Sequence, residues 1–291
     1  MIPPDQLAAP LRFAPRHQPR VWGGDRLARH FGRAPEPAGP IGESWELYHR
    51  PRESSRVAGG PLAGRTLAEL LAAHPVAILG EGAAAAAGEP FPLVVKWLDA
   101  TARLSLQVHP GGELARRAAG ERAKNEAWYV AAAEPGAWVV RGLPGCAGPD
   151  DLRRAAAGGR LEELIRPFPV AAGDLVWLPA GTVHAMGGGL LVYEVQSNAD
   201  LTWRIHDWDR LGLDGRPREL HLERALEAVD YGVKNEKAHP GGEIGPGRWL
   251  LVECADFRLE RVDAARRVDL DGEGRFLVVT VCSGRVELAG G

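Results

Sequence analysis

Seven short apolar runs, separated by turns rich in glycine and proline, occupy the middle of this chain. β-Branched and aromatic residues are frequent in these runs, and such residues favour strands. Glycine and proline, 37 and 23 of the 291 residues, supply the turns. Many short strands with few helices between them indicate a β-sandwich or a double-sheet jelly roll. The predicted strands are residues 92–100, 104–108, 126–132, 137–141, 174–178, 190–195 and 201–207.

Predicted helices are few and short. Thr66 and Glu69 have the spacing of a capping box at the start of an apolar run, so we expect a helix there. Residues 222–229 have the clearest apolar face of an amphipathic helix, and residues 150–157 and 161–165 carry two further short helical patterns. Because these segments interrupt the strands, we predict helical insertions in a mainly β domain.

A turn-rich linker at residues 237–247 divides the chain. Four apolar runs follow it and predict a second set of strands. We therefore expect two domains, a larger one over residues 1–235 and a small C-terminal β-domain over residues 236–291. The strands predicted in the second domain are residues 248–253, 257–262, 276–281 and 285–288.

Charge and hydropathy exclude several classes of function. The 35 basic and 38 acidic side chains leave a net charge of −3, so no basic field is available for nucleic acid or an anionic membrane. No apolar run approaches the roughly 20 residues of a membrane-spanning helix, and the first residues lack the apolar stretch of a secretory signal. We therefore expect a cytoplasmic protein without nucleic-acid or membrane partners.

The cysteines limit the kinds of metal site that the chain can form. Cys146, Cys254 and Cys282 are widely spaced and include no CxxC pair, which argues against a disulfide framework and against a thiolate zinc finger. We expect three free thiols in a reducing compartment. Any metal would therefore be held by nitrogen and oxygen ligands.

Residues 173–184 carry the sharpest functional signal. Gly173, Pro179, Gly181 and His184 follow the pattern G-x5-P-x-G-x2-H. A strand leads into a turn that glycine and proline fix, so the imidazole that follows is directed back into the barrel. The pattern resembles the second motif of the cupin jelly-roll proteins, in which this histidine binds a metal.

Two further segments carry polar side chains that could join His184. Gln107 and His109 are two residues apart on a predicted strand and share a face, as do Lys124 and Glu126 at the start of another strand. Most cupins have H-x-H where this chain has Q-x-H, and a neutral amide suits a Lewis-acid metal better than a redox metal. Two imidazoles, one carboxylate and one amide suit zinc with room for water or substrate.

The strand predicted at residues 201–207 belongs to a fourth polar segment. Asp200, Thr202, Arg204 and His206 alternate along it, which predicts that they share one face. The guanidinium fork of Arg204 can grip a sugar oxygen anion or a phosphate. His206 is expected to be a core or rim histidine and is not included in the metal set.

Together these segments resemble the type I mannose-6-phosphate isomerases in their short bacterial form. The resemblance spans roughly residues 15–235. Members of that family are zinc-dependent enzymes that interconvert mannose 6-phosphate and fructose 6-phosphate. The fold that the resemblance implies is a cupin-type double-stranded jelly roll with helical insertions. The segments that carry it are RVWGGDRL, IGESWEL, FPLVVKWLDATARLSLQVHP, KNEAWYV and PAGTVHAMGGGLLVYEVQSNADLTWRIHDWDR.

The resemblance also implies site residues, one zinc ion per chain and a sugar phosphate as substrate. It implies Arg204 as the active-site arginine. Burial and the zinc ion are expected to lower the pKa of Lys124, a candidate base. The implied zinc ligands are Gln107, His109, Glu126 and His184. The resemblance also places Lys96, Lys124, Glu194 and Asp200 near the substrate. Lys124, Glu194 and Asp200 are the candidates for proton transfer, and Lys96 and Ser105 are candidates to bind the substrate phosphate.

The residues leave two alternatives open. Two histidines and a carboxylate could hold Fe(II) in a dioxygenase, and some cupins bind a ligand without catalysis, here a sugar phosphate. The amide ligand argues against the first, and the proton-transfer candidates argue against the second. The resemblance also leads us to expect further strands after residues 285–288, so the C-terminal β-domain is expected to be incomplete. No oligomeric state is predicted.

Overall fold

The computed structural model describes residues 4–7, 9–32, 39–81, 90–146, 148–233, 242–264 and 267–289, and the elements and counts below refer to those ranges. Its strands are β1 (Arg16–Gly24), β2 (Ile41–Leu47), β3 (His49–Arg50), β4 (Glu53–Ser54), β5 (Leu93–Ala100), β6 (Leu106–Val108), β7 (Glu126–Ala133), β8 (Trp138–Arg141), β9 (Phe168–Pro169), β10 (Leu175–Leu178), β11 (His184–Met186), β12 (Leu190–Ser197), β13 (Trp203–His206), β14 (Gly242–Gly245), β15 (Arg248–Glu253) and β16 (Arg258–Val262). Its helices are α1 (Arg26–Phe31), α2 (Leu67–Ala73), α3 (Pro75–Leu79), α4 (Gly112–Ala119), α5 (Pro149–Ala157) and α6 (Leu222–Ala228), with 3₁₀ helices at Pro4–Leu7 and Leu161–Glu163.

Two antiparallel sheets form the body of the protein. The larger sheet has six strands in the order β1-β2-β5-β12-β7-β10, and the smaller sheet has five in the order β13-β6-β11-β8-β9. Many neighbours in these sheets are distant in sequence, as when β12 pairs with both β5 and β7. This topology confirms the expected fold, a mainly β, cupin-type double-stranded jelly roll with helical insertions.

The space between the sheets has an apolar half and a polar half. Leu98 and Val192 of the six-stranded sheet lie in one buried cluster with Val139 of the five-stranded sheet. Because side chains alternate along a strand, Lys96 and Glu194, each two residues away, project from the same inner face. Both of these charged residues are buried. The polar half therefore holds side chains that need partners, and it is where the site lies.

Helices and the C-terminal strands cover the outer faces of the sheets. α5 and α6 pack through Leu152 and Leu226 against the five-stranded sheet. α1, α2 and α3 lie against the six-stranded sheet, together with Val252 of β15 and Phe257 of the turn that follows it. These two C-terminal residues are buried in the same cluster as Trp97, so the three-stranded sheet β14-β15-β16 is seated on the jelly roll.

Most of the predicted elements are present. All seven strands predicted in the middle of the chain occur, and the helix predicted at residues 222–229 is α6. The capping box is confirmed, since the Thr66 hydroxyl accepts the Glu69 N–H and the Glu69 carboxylate accepts the Thr66 N–H. The pattern at residues 161–165 forms only a single 3₁₀ turn. α4 had not been predicted.

The strands predicted at residues 276–281 and 285–288 are wrong. No part of either run belongs to a strand in the described ranges, because neither run pairs with a neighbouring strand. The first run instead crosses the outer face of the six-stranded sheet, where the Phe276 N–H donates to the Leu79 carbonyl and Thr280 bonds the Tyr193 hydroxyl. β propensity alone does not make a strand without a ladder partner.

Two further expectations concern the whole chain. The predicted domain boundary after residue 235 and most of the linker lie outside the described residues, so the division into two domains stays a prediction. The three cysteines are free, as expected. None of the helices in the described ranges is long and apolar enough to cross a bilayer.

Candidate metal centre and active-site cleft

Three side chains with metal-ligating atoms converge in the polar half of the jelly roll. His109 follows β6, His184 opens β11, and Glu126 opens β7. The histidines thus come from the five-stranded sheet, and the carboxylate comes from the six-stranded sheet. One ligand atom from each residue lies within 4.8 Å of the others, and all three residues are buried. The structure therefore brings together three of the four residues that the sequence pointed to as ligands.

Hydrogen bonds to backbone carbonyls fix the tautomers of both imidazole rings. Nδ1 of His109 lies 3.0 Å from the Leu201 carbonyl oxygen, and Nδ1 of His184 lies 2.9 Å from the Thr182 carbonyl oxygen. A carbonyl oxygen only accepts, so each Nδ1 carries the proton and donates it. In the neutral ring the lone pair is then on Nε2, the atom that faces Glu126 in both histidines.

The imidazole lone pairs and the carboxylate face one another. His109 Nε2 lies 3.4 Å from one oxygen of Glu126, and His184 Nε2 lies 3.2 Å from the other. Burial lowers the pKa of both rings, to about 4 for His109, where the Lys124 ammonium is the next cause. The rings are therefore neutral near pH 7. Among the described residues, neither His109 Nε2 nor Glu126 Oε1 has a hydrogen-bond partner.

A cation satisfies such a set of buried acceptors. Ligands bound to a tetrahedral zinc ion at roughly 2.0–2.1 Å lie about 3.3 Å from one another. The imidazole nitrogens of His184 and His109 lie 3.2 and 3.4 Å from the two different oxygens of Glu126, so the carboxylate already lies close to ligand spacing from each ring. Burial alone would raise the pKa of Glu126, but Lys124 and the two histidines hold it well below its ordinary value. The carboxylate is therefore ionised, as a metal ligand must be.

Gln107 lies in the same row of the five-stranded sheet as His184 and Arg204. β6 pairs Gln107 with His184 on one side and with Arg204 on the other. Paired residues of neighbouring strands project to the same face. The Gln107 amide nitrogen lies 3.1 Å from His184 Nε2, and its oxygen accepts the Ser105 hydroxyl at 3.0 Å. The amide is thus in contact with the cluster, and Ser105 orients it.

The structure contradicts the expected direction of the pKa shift of Lys124. Burial does lower this pKa, but the carboxylates of Glu126, Glu194 and Asp200 outweigh burial and raise the pKa above its ordinary value. The ammonium lies 3.0 Å from Glu126 Oε2. Lys124 is therefore a cation near neutral pH, which suits a hydrogen-bond donor or a general acid rather than a base.

A cleft of about 720 Å³ opens beside the cluster. Its volume lies in the range of about 300–1,000 Å³ that is typical of small-molecule sites. Gln107 and Lys124, which contact the cluster, form part of its lining. The other lining residues that the sequence pointed to are Lys96, Ser105, Glu194, Asp200 and Arg204. The structure thus brings all of these residues to one cavity.

Lys96 and Glu194 form a buried ion pair in the wall of the cleft. Lys96 Nζ lies 3.3 Å from Glu194 Oε1 and 4.8 Å from the centre of the Trp45 ring. The other carboxylate oxygen of Glu194 accepts a hydrogen bond from Trp128 Nε1 at 2.9 Å. These contacts hold both side chains in place. Asp200, by contrast, is exposed at the rim.

Arg204 faces the cleft with unused donors. Its Nη1 donates to the Glu219 carbonyl at 2.8 Å, but its Nε has no partner and no carboxylate lies within ion-pair distance among the described residues. A half-buried guanidinium with free N–H groups is suited to bind an anion. A register shift follows Arg204, and His206, which packs edge-on against Trp208, is absent from the lining of the cleft.

The cleft also contains residues that the sequence did not single out. Arg218 and His221 come from the segment between β13 and α6, and Arg20 and Glu43 come from β1 and β2. Arg20 pairs with Glu43 at 2.8 Å, and Arg218 donates to Asp207 at 2.7 Å. Strand alternation could not identify them, because they reach the cleft through tertiary packing.

This fold and this donor set define a metal-binding cupin. Residues 11–136 match the family described as phosphomannose isomerase type I, catalytic domain. Relatives named mannose-6-phosphate isomerase are about one third identical over nearly the whole chain. The chain therefore belongs to the type I mannose-6-phosphate isomerases, a family of aldose–ketose isomerases.

Three relatives illustrate the extent of the similarity. The mannose-6-phosphate isomerase of Streptococcus mutans is 34% identical over 281 residues, which cover 96% of this chain and 86% of that protein. The crystal structure of the Bacillus subtilis mannose 6-phosphate isomerase matches with a TM-score of 0.79 at 32% identity, and covers 87% of this chain and 79% of its own. A zinc-bound mannose 6-phosphate isomerase shares the fold with a TM-score of 0.66 at 18% identity, over 86% and 82% of the two chains.

Proposed function

We propose that this protein is a zinc-dependent isomerase that interconverts mannose 6-phosphate and fructose 6-phosphate by proton transfer through an enediol. The observation that carries the proposal is the convergence of His109, Glu126 and His184 beside a cleft of suitable size. Curated relatives at 34% identity act, by name, on mannose 6-phosphate. Family membership favours this activity over the dioxygenase and the non-catalytic sugar-phosphate module.

One zinc ion per chain fits the donor set. His109, His184 and Glu126 would hold it through two neutral nitrogens and one carboxylate oxygen, ligands that suit zinc. Gln107 is the proposed fourth ligand. The Ser105 hydroxyl can accept as well as donate, so a rotated amide would keep that hydrogen bond while its oxygen turned toward the cluster. The bound ion would act as a Lewis acid that polarises the sugar carbonyl, a contribution of several kcal/mol.

Two cations of the chain can stabilise the enediolate. Arg204 lines the cleft and its Nε has no hydrogen-bond partner among the described residues, and Lys124 is a buried ammonium in the same lining. Negative charge that develops on O1 and O2 during proton transfer is stabilised by such fixed donors, which need no reorganisation when the charge appears. Arg204 is the less neutralised of the two, because Lys124 already pairs with Glu126.

Carboxylates are the remaining candidates for the group that removes the proton. Lys124 is paired with Glu126 at 3.0 Å, so we assign it to charge stabilisation rather than to proton removal. Glu194 has one buried oxygen, Oε1, without a hydrogen-bond partner among the described residues, although the Lys96 ammonium lies 3.3 Å away. Asp200 offers an exposed carboxylate at the rim of the same cleft. We propose that one of these two groups moves the proton between C1 and C2.

The proposal is tested by a coupled assay for fructose 6-phosphate with mannose 6-phosphate as substrate. We expect turnover by protein that carries close to one zinc per chain, loss of turnover after chelation, and recovery when zinc is restored. Protein purified without added metal should contain zinc rather than iron. An inactive zinc-loaded protein would contradict the assigned reaction, and a fully active metal-free protein would contradict the role of the ion.

The phosphate of the substrate has a proposed place at the Arg218 side of the cleft. Lys96 is held by Glu194, and Ser105 donates to Gln107, so both are engaged and are proposed to contact the sugar rather than the phosphate. Arg218 and Arg210 share one carboxylate, Asp207, so each guanidinium is only partly neutralised. Such a guanidinium can bind a dianion.

Arg218→Ala is therefore expected to raise KM for mannose 6-phosphate about ten- to a hundredfold, the loss of one charged hydrogen-bond partner. The value of kcat should change little, because the reacting carbons are elsewhere. The matched control is Arg210→Ala, which breaks the other ion pair of Asp207 without changing the lining of the cleft. Steady-state kinetics of both variants test whether the phosphate binds at Arg218. Equal KM values for the two variants would place the phosphate elsewhere.

A further inference from the structure

The C-terminal three-stranded sheet reaches toward the metal centre through one side chain. Asp256 lies in the turn between β15 and β16. Its Oδ2 accepts a hydrogen bond from Asn125 Nδ2 at 2.6 Å and another from the Ser197 hydroxyl at 3.1 Å. Phe257, the next residue, is buried against the six-stranded sheet, which anchors the turn in this position.

Asn125 occupies a central position among the segments that carry the ligands. In sequence it stands between Lys124 and Glu126. Its side-chain oxygen accepts the Ala180 N–H at 2.9 Å, within the Pro-Ala-Gly turn that leads to His184. Its backbone N–H also donates to the Ser197 hydroxyl at 2.9 Å. One asparagine therefore joins the start of β7, the end of β12 and the turn before β11.

The carboxylate of Asp256 determines which way the Asn125 amide points. A carboxylate only accepts hydrogen bonds, so it must face the amide nitrogen, and the amide oxygen is then left for the Ala180 N–H. Without Asp256 the amide nitrogen loses its acceptor and only the Ala180 N–H still holds the amide, so the tie between the turn and the start of β7 is weakened. The two ligands held by these segments, His184 and Glu126, come from different sheets, and this tie adds to the pairing of Leu178 with Glu126 in holding them at their separation.

We propose that Asp256 is a positioning residue for the metal centre and acts through Asn125 to hold Glu126 and His184 at ligand distance. The inference rests on the metal site of the proposed function, but it assigns a new role to the C-terminal sheet. Partners of metal ligands typically change metal affinity about 10–100-fold when they are removed. Because Asp256 acts through Asn125 and not directly on a ligand, we expect a change in metal affinity at the low end of that range.

The experiment uses the full chain, stripped of metal and titrated with Co²⁺, whose absorption spectrum reports ligand geometry. For Asp256→Ala we expect about a tenfold weaker Co²⁺ affinity and an altered visible spectrum. Asp256→Asn, whose side-chain oxygen can still accept from Asn125, should recover much of the affinity. The matched control is Asp263→Ala, which removes an exposed carboxylate of the same C-terminal unit that contacts Arg261 and not Asn125.

Thermal unfolding of each variant separates positioning from general destabilisation. Asp263→Ala should keep the wild-type Co²⁺ affinity and spectrum. An Asp256→Ala protein that is folded and binds Co²⁺ with the wild-type affinity and spectrum would overturn the inference. If that variant does not fold, Asn125→Ala provides the test, and wild-type Co²⁺ affinity and spectrum in that variant would overturn the inference.

The two proposals fail in distinguishable ways. Wild-type protein that binds no Co²⁺ would contradict the metal site itself, whatever Asp256 does. Wild-type protein that binds Co²⁺, alongside an Asp256→Ala variant with unchanged binding, would contradict only the positioning role. In the double variant with Asn125→Ala, the loss should be no larger than in Asn125→Ala alone, because Asp256 acts through Asn125.

Discussion

His184→Ala is expected to release the bound metal and to lower kcat at least about a thousandfold, because a Lewis-acid contribution of several kcal/mol is lost. The imidazole provides one of only two neutral nitrogen ligands in the cluster, and its Nε2 lies 3.2 Å from Glu126. Metal content by elemental analysis and turnover in the coupled assay should fall together. Far-ultraviolet circular dichroism should stay close to that of the wild type, since the apolar half of the jelly roll is untouched.

The matched control for this variant is His206→Ala. This histidine belongs to the same five-stranded sheet, but it packs against Trp208 and does not line the cleft. It should keep both metal and turnover. Full metal and full activity in the His184→Ala protein would show that the proposed ligand set is wrong.

Arg204→Ala is expected to lower kcat about 10²–10³-fold, the usual effect of removing one donor that stabilises an oxyanion. Its metal content should be unchanged, because Arg204 is not a proposed ligand. It only lies beside the ligands, in the same row as Gln107 and His184. Arg204→Lys keeps the charge without the planar fork and should be less impaired. Steady-state kinetics measure kcat for both variants, and elemental analysis of the same samples measures their zinc content. An unchanged kcat would return Arg204 to a structural role.

Local pattern predicted much of the fold and the three residues of the metal cluster. Strand alternation explains why Gln107 and His109 both reach the cluster, and the rigid Pro-Gly turn explains why His184 does. These signals span only a few residues, so they can be read from sequence. The run 276–281 has the same β-branched composition as true strands, yet it lacks a neighbour with which to pair, and composition cannot reveal that.

The interactions that sequence could not predict all join distant segments. The pKa of Lys124 is raised first by Glu126 and then by Glu194 and Asp200, and the last two lie some 70 residues further along the chain. Arg218 enters the cleft through the segment before α6, and Asp256 contacts Asn125 across 131 positions. Such contacts follow from the packing of whole elements, which periodicity within one element does not encode.

The burial of Val252 and Phe257 against the six-stranded sheet has a practical consequence for work with fragments. A truncated protein that ends at residue 235 would contain every proposed zinc ligand and would resemble a minimal enzyme. It would also expose the apolar surface around Trp97 that these two side chains cover. Such a fragment should accumulate in inclusion bodies, so screening campaigns are better served by the intact polypeptide.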